Sequence, residues 1–539
     1  MINQTCTGYN EIMLARIESV ACVGLESFLV EVEVDVADKG FPGFSIVGLA
    51  DKAVAEARER VKTALINSGF EFPQKKIIVN LAPADIPKEG SAFDLPIAVG
   101  ILVANGDIDL KTQKIENSKT QNDEIINSIF YGELSLDGSL RHTKGALLVA
   151  LFAKKEKRKQ VFVPVLSANE AAVVAGVKVM PVRSLKQLIE HFLTDKKIEP
   201  LKTIAIKSLV EAALPDFDMG EIVGQEMAKR ALTVAAAGGH NILMSGPPGS
   251  GKTMLSRALP GIMPPMTEEE SMEVTRVYSA AGLLEAGEAV VRRRPFRSPH
   301  HSTSMAGLIG GGSKPMPGEV SLAHLGVLFL DEMAEFPRYV LEAMRQPMED
   351  GKVEVVRVAG RVKYPACFQL VAAVNPCPCG YLGDPKKECK CGERSIEKYK
   401  RRISGPILDR IDLHISVPAV ETEKIVGVIP KGENSMAIRE RVVAARDIQL
   451  ARLSKMGMYC NAQMKNKQVK EFCGLDADGI AILKLAMVKF ELSARAYYRI
   501  LKVARTIADL DPALREGQGG GSISSAHLSE ALQYRERVF

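Results

Sequence analysis

Gly246, Pro247, Pro248, Gly249, Ser250, Gly251, Lys252 and Thr253 follow the pattern G-x-x-x-x-G-K-[ST]. Each position has a chemical task in holding the phosphates of a nucleotide such as ATP. The glycines let backbone N–H groups turn toward phosphate oxygens, Lys252 reaches the β and γ oxygens, and Thr253 ligates Mg²⁺ at a helix N-terminus. Further along, VLFLDE delivers Asp331 and Glu332 at the end of an apolar run. Such a pair is often a solvated strand end. Beside a phosphate loop it reads as a Walker B pair, with Asp331 holding Mg²⁺ through water and Glu332 orienting and deprotonating the attacking water.

A second cluster has metal-ligand character. Cys377, Cys379, Cys389 and Cys391 fall in the spacing C-x-C-x₉-C-x-C. Four thiolates can close a tetrahedral Zn²⁺ site, and the turn-rich spacer would fold the two halves together. The C-x-C spacing is tighter than usual, and a reduced cysteine-rich loop is the alternative. With no residue left to open a coordination position, any zinc here is expected to be structural.

These groups need a strand–loop–helix frame. NILMS before the loop is apolar enough for a buried strand, and MLSRALPGI after it reads as a helix that Pro260 and Gly261 end. FQLVAAVNP is another apolar strand, and it ends on the polar Asn375. At 539 residues the chain has room for roughly three domains. Residues 1–190 alternate strand-like and helix-like runs and predict an α/β domain, with KTQKIENSKTQNDE as a surface loop. A linker is expected at 191–215, a nucleotide unit with a parallel sheet at 216–418, and a helical domain at 419–539, whose last helix Ser524 or Ser525 caps. The chain carries 70 Lys and Arg against 65 Asp and Glu, a net charge of +5, so any polyanion must be bound by local patches. No stretch has the roughly 18 apolar residues of a membrane span, and the start has no signal-peptide pattern. A soluble, cytoplasmic protein without a disulfide framework is expected.

With Asn375 at a strand end, the constellation resembles the AAA+ ATPases, in which a polar sensor residue there helps position the water. GPILDRIDLHI carries Arg410 and SARAYYR carries Arg495. The resemblance implies that Arg410 is a finger reaching a neighbouring subunit's γ-phosphate and that Arg495 is a sensor on the helical lid, roles suited to a permanently charged, forked guanidinium. The bland alternative for each is a salt bridge. A finger acting in trans implies head-to-tail contacts that close into a ring, with a homohexamer as the leading expectation. The segment IVGQE, with Gln225, resembles the stretch that packs near the adenine.

Two basic segments flank the Walker B pair. VVRRRPFRSPHHSTSMAGLIGGGSKP contains Arg292, Arg293, Arg294, Arg297, His300, His301 and Lys314, and GKVEVVRVAGRVKYPA predicts a β-hairpin turning near Ala359 and Gly360 with Arg357, Arg361 and Lys363 beside the turn. They match inserts of ring ATPases related to magnesium chelatase and the MCM helicases, where such loops face a pore and grip a DNA backbone through charge. DNA contacts are therefore expected at Lys314, Arg357, Arg361 and Lys363, while the tandem histidines are expected to be structural or to contact phosphate.

NLAPADIPKEGSAFDLPIAVGIL and GELSLDGSLRHTKGALLVA resemble the proteolytic domain of Lon. Laid on that pattern, Ala92 takes the place of the nucleophilic serine and Leu147 that of its lysine, with Ser91 one residue early and Lys144 three early. A Ser–Lys dyad needs both groups within hydrogen-bond reach, so a scaffold without peptidase activity is expected. A degenerate Lon-like domain, a chelatase-type AAA+ module with a cysteine cluster, and helical C-terminal elements together are similar to the ComM/YifB family of magnesium-chelatase-like proteins. That resemblance implies an ATP-dependent hexameric DNA translocase that promotes branch migration as single-stranded DNA is integrated during natural transformation. By the same resemblance it is expected to act on single-stranded and branched DNA, beside recombination proteins and away from membranes. The alternatives are a magnesium-chelatase motor subunit, a remodelling ATPase that does not act on DNA, a protease, and a DNA-binding scaffold without turnover.

Overall fold

The computed structural model describes residues 14–37, 40–48, 51–108, 124–211, 217–312, 315–357, 360–384, 387–419, 432–489, 492–512 and 521–535. The polar stretch expected as a loop near 111–124 lies almost wholly outside them, as does Lys314.

The amino-terminal part is built on a seven-stranded mixed sheet of β1 (Leu14–Val23), β2 (Glu26–Ala37), β3 (Gly43–Val47), β4 (Lys76–Ala82), β5 (Ser128–Phe130), β6 (Gln160–Pro164) and β7 (Lys178–Val182), in the order β3-β4-β2-β1-β5-β6-β7. β2 alternates, so Val30, Val32 and Val34 go to the core while Glu31, Glu33 and Asp35 face the other way. The helix Asp94–Asn105 is apolar all round and is buried along nearly its whole length, as a helix without a polar face must be. Its one buried charge, Asp94, accepts two hydrogen bonds from Arg60 at 2.9 and 3.0 Å.

The nucleotide unit is a five-stranded parallel sheet. Its strands are β8 (Ile242–Ser245), β9 (Phe296–Arg297), β10 (Val327–Leu330), β13 (Gln369–Val374) and β14 (Leu413–Ser416), ordered β9-β10-β13-β8-β14. Between β10 and β13 the chain makes an antiparallel hairpin of β11 (Lys352–Arg357) and β12 (Gly360–Pro365). Every residue of β8, β10 and β13 is buried, the signature of a parallel sheet covered on both faces. The helix after the phosphate loop runs Lys252–Ile262, so Pro260 lies inside its last turn and the chain leaves at Met263. The Pro260 ring fits helical φ and its missing N–H removes only the bond to the carbonyl four residues earlier, so the helix runs two residues past it to Ile262.

Helices 435–453, 494–510 and 525–533 do not form a separate core: Val442, Ile500, Ala504 and Leu528 share one apolar cluster with Ile242, Leu255 and Leu413 of the nucleotide unit. Ser524 caps the last helix in a capping box with His527.

The two sheets meet through the helices 146–155 and 268–281. Val149 and Val274 belong to one buried cluster. Glu170 ties the joint: it accepts from the Leu147 N–H at 2.9 Å and from the hydroxyl of Ser279, and burial raises its carboxyl pKa. No described helix is long and apolar enough to cross a membrane.

Candidate ATPase site

The phosphate loop leaves β8 at Ser245 and enters the helix at Lys252. Gly246 has no room for a side chain, since a Cβ there would lie 2.1 Å from the Val417 carbonyl oxygen. Gly249 and Gly251 take φ of +76° and +90°, the left-handed conformation that turns successive N–H groups into one concavity. Lys252 folds back over this loop. Its Nζ donates to Gly246 O at 2.8 Å, Pro247 O at 2.9 Å and Ser250 Oγ at 3.3 Å, and burial lowers its pKa. Its partners are neutral oxygens, so the charge is uncompensated by direct contact and suits a polyphosphate. Gln225, at φ +60°, secures the loop from behind by donating to Ser250 O at 3.1 Å and Pro418 O at 2.7 Å.

The sheet order brings the Walker B pair to the same edge, because β10 is separated from β8 only by β13. The Thr253 hydroxyl donates to Asp331 Oδ2 at 2.9 Å, which places the two oxygen ligands expected for Mg²⁺ side by side. Glu332 sits at φ +48° and is exposed. Asn375 leaves β13 between the two motifs, the place expected of a sensor residue. The loop geometry, the lysine and the paired oxygens therefore fit Mg²⁺–ATP.

His301, expected from the sequence to be structural or to contact phosphate, stands beside the Walker B glutamate. Its Nδ1 lies 3.8 Å from Glu332 Oε2, and the rings of His300 and His301 have centroids 4.0 Å apart. Chain distance hid this contact; the only signal was a tandem histidine in the segment before the Walker B strand.

Arg410 and Arg495 converge on a single carboxylate. Arg410 is 5% exposed, donates to Pro406 O at 2.6 Å and pairs with Glu349. Arg495 is half exposed and lies 3.7 Å from the same Glu349 oxygen. Burial lowers the pKa of Arg410, which Glu349 partly offsets.

The four cysteine sulfurs lie within 4.8 Å of one another, with Cys377, Cys379 and Cys389 separated by 3.4 to 3.6 Å. Tetrahedral Zn–S bonds of about 2.3 Å require sulfurs about 3.8 Å apart, so the set fits zinc. The turn also abuts the phosphate loop: a Cβ on Gly380 would lie 2.6 Å from Pro248 Cδ and 3.9 Å from Asn375 Cγ.

The basic segments divide. Arg294 is not a surface cation: it donates to Pro264 O at 2.6 Å, Leu325 O at 2.7 Å and Glu270 Oε2 at 2.8 Å. Arg297 makes a bidentate pair with Glu319 at 2.6 and 2.8 Å. Both therefore hold the insert together rather than offer charge outward. On the hairpin, Arg361 is 65% exposed beside Glu354 at 3.1 Å, and Lys363 is exposed. Arg357 ends β11, its side chain and Ala359 lying outside the described residues.

In the amino-terminal part, Ala92 and Lys144 line one interdomain cavity of about 120 Å³ roofed by Ser279, Met316 and Tyr364. Leu147, which counting places at the lysine position, is fully buried in the core, so Lys144 is the residue that faces Ala92's cavity. Ser91 turns away to the Glu133 carboxylate.

Strand order, phosphate loop and Walker B pair define a P-loop ATPase of the AAA+ kind. Three family models match the chain: subunit ChlI of Mg-chelatase over residues 32–167, magnesium chelatase subunit ChlI over 218–425, and its C-terminal part over 432–535. Competence protein ComM of Haemophilus influenzae is 43% identical over 528 residues, spanning 97% of this chain and 98% of that protein. YifB of Escherichia coli, an uncharacterized protein, is 40% identical over 97% of both chains. RuvB, a Holliday junction branch migration subunit of Rhodococcus erythropolis, is 24% identical over 60% of this chain and 74% of its own length. The chain belongs to the ComM/YifB family of magnesium-chelatase-like AAA+ proteins.

Proposed function

We propose that this protein is an ATP-driven motor on single-stranded and branched DNA, working as a homohexameric ring that promotes branch migration while single-stranded DNA is integrated. The observation that carries the reading is the full-length similarity to a competence protein, on a chain whose phosphate loop, Asp331 and Glu332 share one sheet edge. Bound Mg²⁺–ATP supplies the phosphoanhydride whose hydrolysis drives the motor. Lys252 exchanges its loop carbonyls for phosphate oxygens, Thr253 and Asp331 orient the metal side, and Glu332 takes the proton of the attacking water while Asn375 positions it. Arg410 and Arg495 lie together on Glu349, a partner that a neighbour's more highly charged γ-phosphate would replace. Zinc on the four cysteines would brace the turn that packs on Pro248. The amino-terminal domain is a Lon-like scaffold whose catalytic pocket lacks a nucleophile at Ala92.

The test is strand displacement on three-strand junction DNA, with and without ATP, for wild type, Glu332→Gln and Arg361→Ala. Displacement by wild type and loss in both variants is expected; ATP turnover without any displacement eliminates the motor reading. The chelatase family models favour a second reading, a chelatase motor subunit. It requires turnover to respond to a porphyrin-carrying partner and to ignore DNA.

A further inference from the structure

One concave surface lies apart from both the phosphate loop and the hairpin. It is a groove of about 590 Å³ between the turn 334–338, which follows Glu332, and the helix 393–400 beyond the cysteine cluster. Its walls carry five cations, Arg338, Arg394, Lys398, Arg401 and Arg402, against two carboxylates. Those carboxylates are spoken for: Glu397 pairs with Arg401 one helical turn on, and Glu335 pairs with Arg402 across the groove. Arg338, Arg394 and Lys398 make no ion pair within 4 Å among the described residues, and all three are exposed.

The helix explains the alignment. Ile396 and Tyr399 turn inward, Tyr399 fully into the core, which leaves positions 394, 398 and 401 on one outer stripe at i, i+4 and i+7. At 1.5 Å per residue the stripe spans roughly 10 Å, a run of positive charge suited to consecutive phosphates of one strand. An exposed aromatic ring follows the groove's Arg338 in the chain: Tyr339, itself outside the groove lining, is 64% exposed. A basic groove that tracks a backbone, with a ring for base stacking, is the chemistry by which single strands are held without sequence preference.

We propose that this groove binds the phosphodiester backbone of single-stranded DNA through Arg338, Arg394 and Lys398, with Tyr339 stacking on a base, as a contact separate from the hairpin. The proposal rests on the DNA reading above. The groove opens on the segment that leads from Glu332, and a phosphate reaching Arg402 competes with Glu335 for it.

The experiment is fluorescence anisotropy of labelled dT30 with full-length wild type, R394E/K398E, R394K/K398R and Y339A across a salt series. R394E/K398E is expected to weaken binding about tenfold or more and to flatten the log Kd against log salt slope by about 1.4, since each single-strand phosphate contact contributes about 0.7. Y339A is expected to weaken binding about fivefold or more with the slope unchanged. R394K/K398R keeps affinity and slope, and all variants keep the wild-type thermal midpoint because the altered side chains are exposed. Wild-type binding with an unchanged Kd and slope in R394E/K398E overturns the groove alone. Failure of wild type to bind dT30 overturns the DNA reading and the groove with it, and a matched oligouridylate responding in place of dT30 overturns the choice of DNA.

Discussion

At the scale of single residues, the chemistry is concentrated on side chains whose fold partners are few, which makes their replacement informative. Glu332 is exposed at the end of the Walker B strand, so Glu332→Gln should leave the thermal midpoint and nucleotide binding intact while turnover falls about 10²-fold or more, the usual worth of a general base. A malachite-green phosphate assay beside a nucleotide-binding titration checks both halves. The cysteines make a separate claim. Elemental analysis of purified protein should find one zinc per chain, and Cys389→Ser should lose it and lower the thermal midpoint. A metal-free wild type of unchanged stability would leave the cluster a reduced loop. Both motifs could be picked out in the sequence because each is a short local pattern, an acidic pair after an apolar run and two C-x-C pairs ten residues apart. The contacts of His301 with Glu332 and of Glu349 with Arg410 could not, since each pair meets only after the chain has folded, Glu349 lying sixty-one residues before Arg410.

At the scale of elements, apolar strands that end on chemistry were readable and the clamps between elements were not. β8, β10 and β13 announce themselves by unbroken apolar runs, and parallel packing puts their ends together. By contrast Arg294 and Arg297 read as surface charge because Glu270, Glu319 and the carbonyls of Pro264 and Leu325 belong to other elements. The hairpin is held in the same unannounced way. The β1–β2 turn presses on it at Gly24, whose φ is +62° and whose added Cβ would meet Val362 Cγ1 at 2.2 Å, while Tyr364 donates to Pro315 O at 2.6 Å. Gly24→Val should lower stability by about 1–3 kcal/mol through left-handed strain and overpacking, seen as a lower denaturant midpoint. A pH effect belongs to β14. His414 packs against Arg535, and burial, with that guanidinium 3.4 Å away, pulls its pKa down to about 4. Below about pH 6.5 the unfolded chain takes up a proton that the folded chain refuses until about pH 4, so stability falls across that window as the solution is acidified. His414→Gln should flatten this part of a plot of thermal midpoint against pH.

At the scale of the whole molecule, the question is where the arginines work. Within one chain Arg410 and Arg495 sit on Glu349, and among the described residues neither forms a hydrogen bond or ion pair with the phosphate loop, Asp331 or Glu332. A ring of identical subunits resolves the separation if each site takes its loop from one copy and its arginines from the next. That arrangement predicts complementation between two inactive proteins. Lys252→Ala removes the loop lysine and keeps the arginines; Arg495→Ala keeps the loop and removes a half-exposed arginine whose loss leaves the core intact. Each alone should be inactive. In an equal mixture an interface works when an Arg495→Ala subunit supplies the loop and a Lys252→Ala subunit supplies the arginine, which random assembly gives at half times half, about a quarter of interfaces. Turnover should therefore recover to about a quarter of wild type after subunits are allowed to exchange, and should vary with the mixing ratio through a maximum at equality. If the two act within one chain, every subunit in the mixture carries a defective site and the mixture stays inactive at every ratio. Because both inactive proteins enter the same tube, the recovered activity reads out the shared site directly and depends on no assumption about which DNA the ring engages.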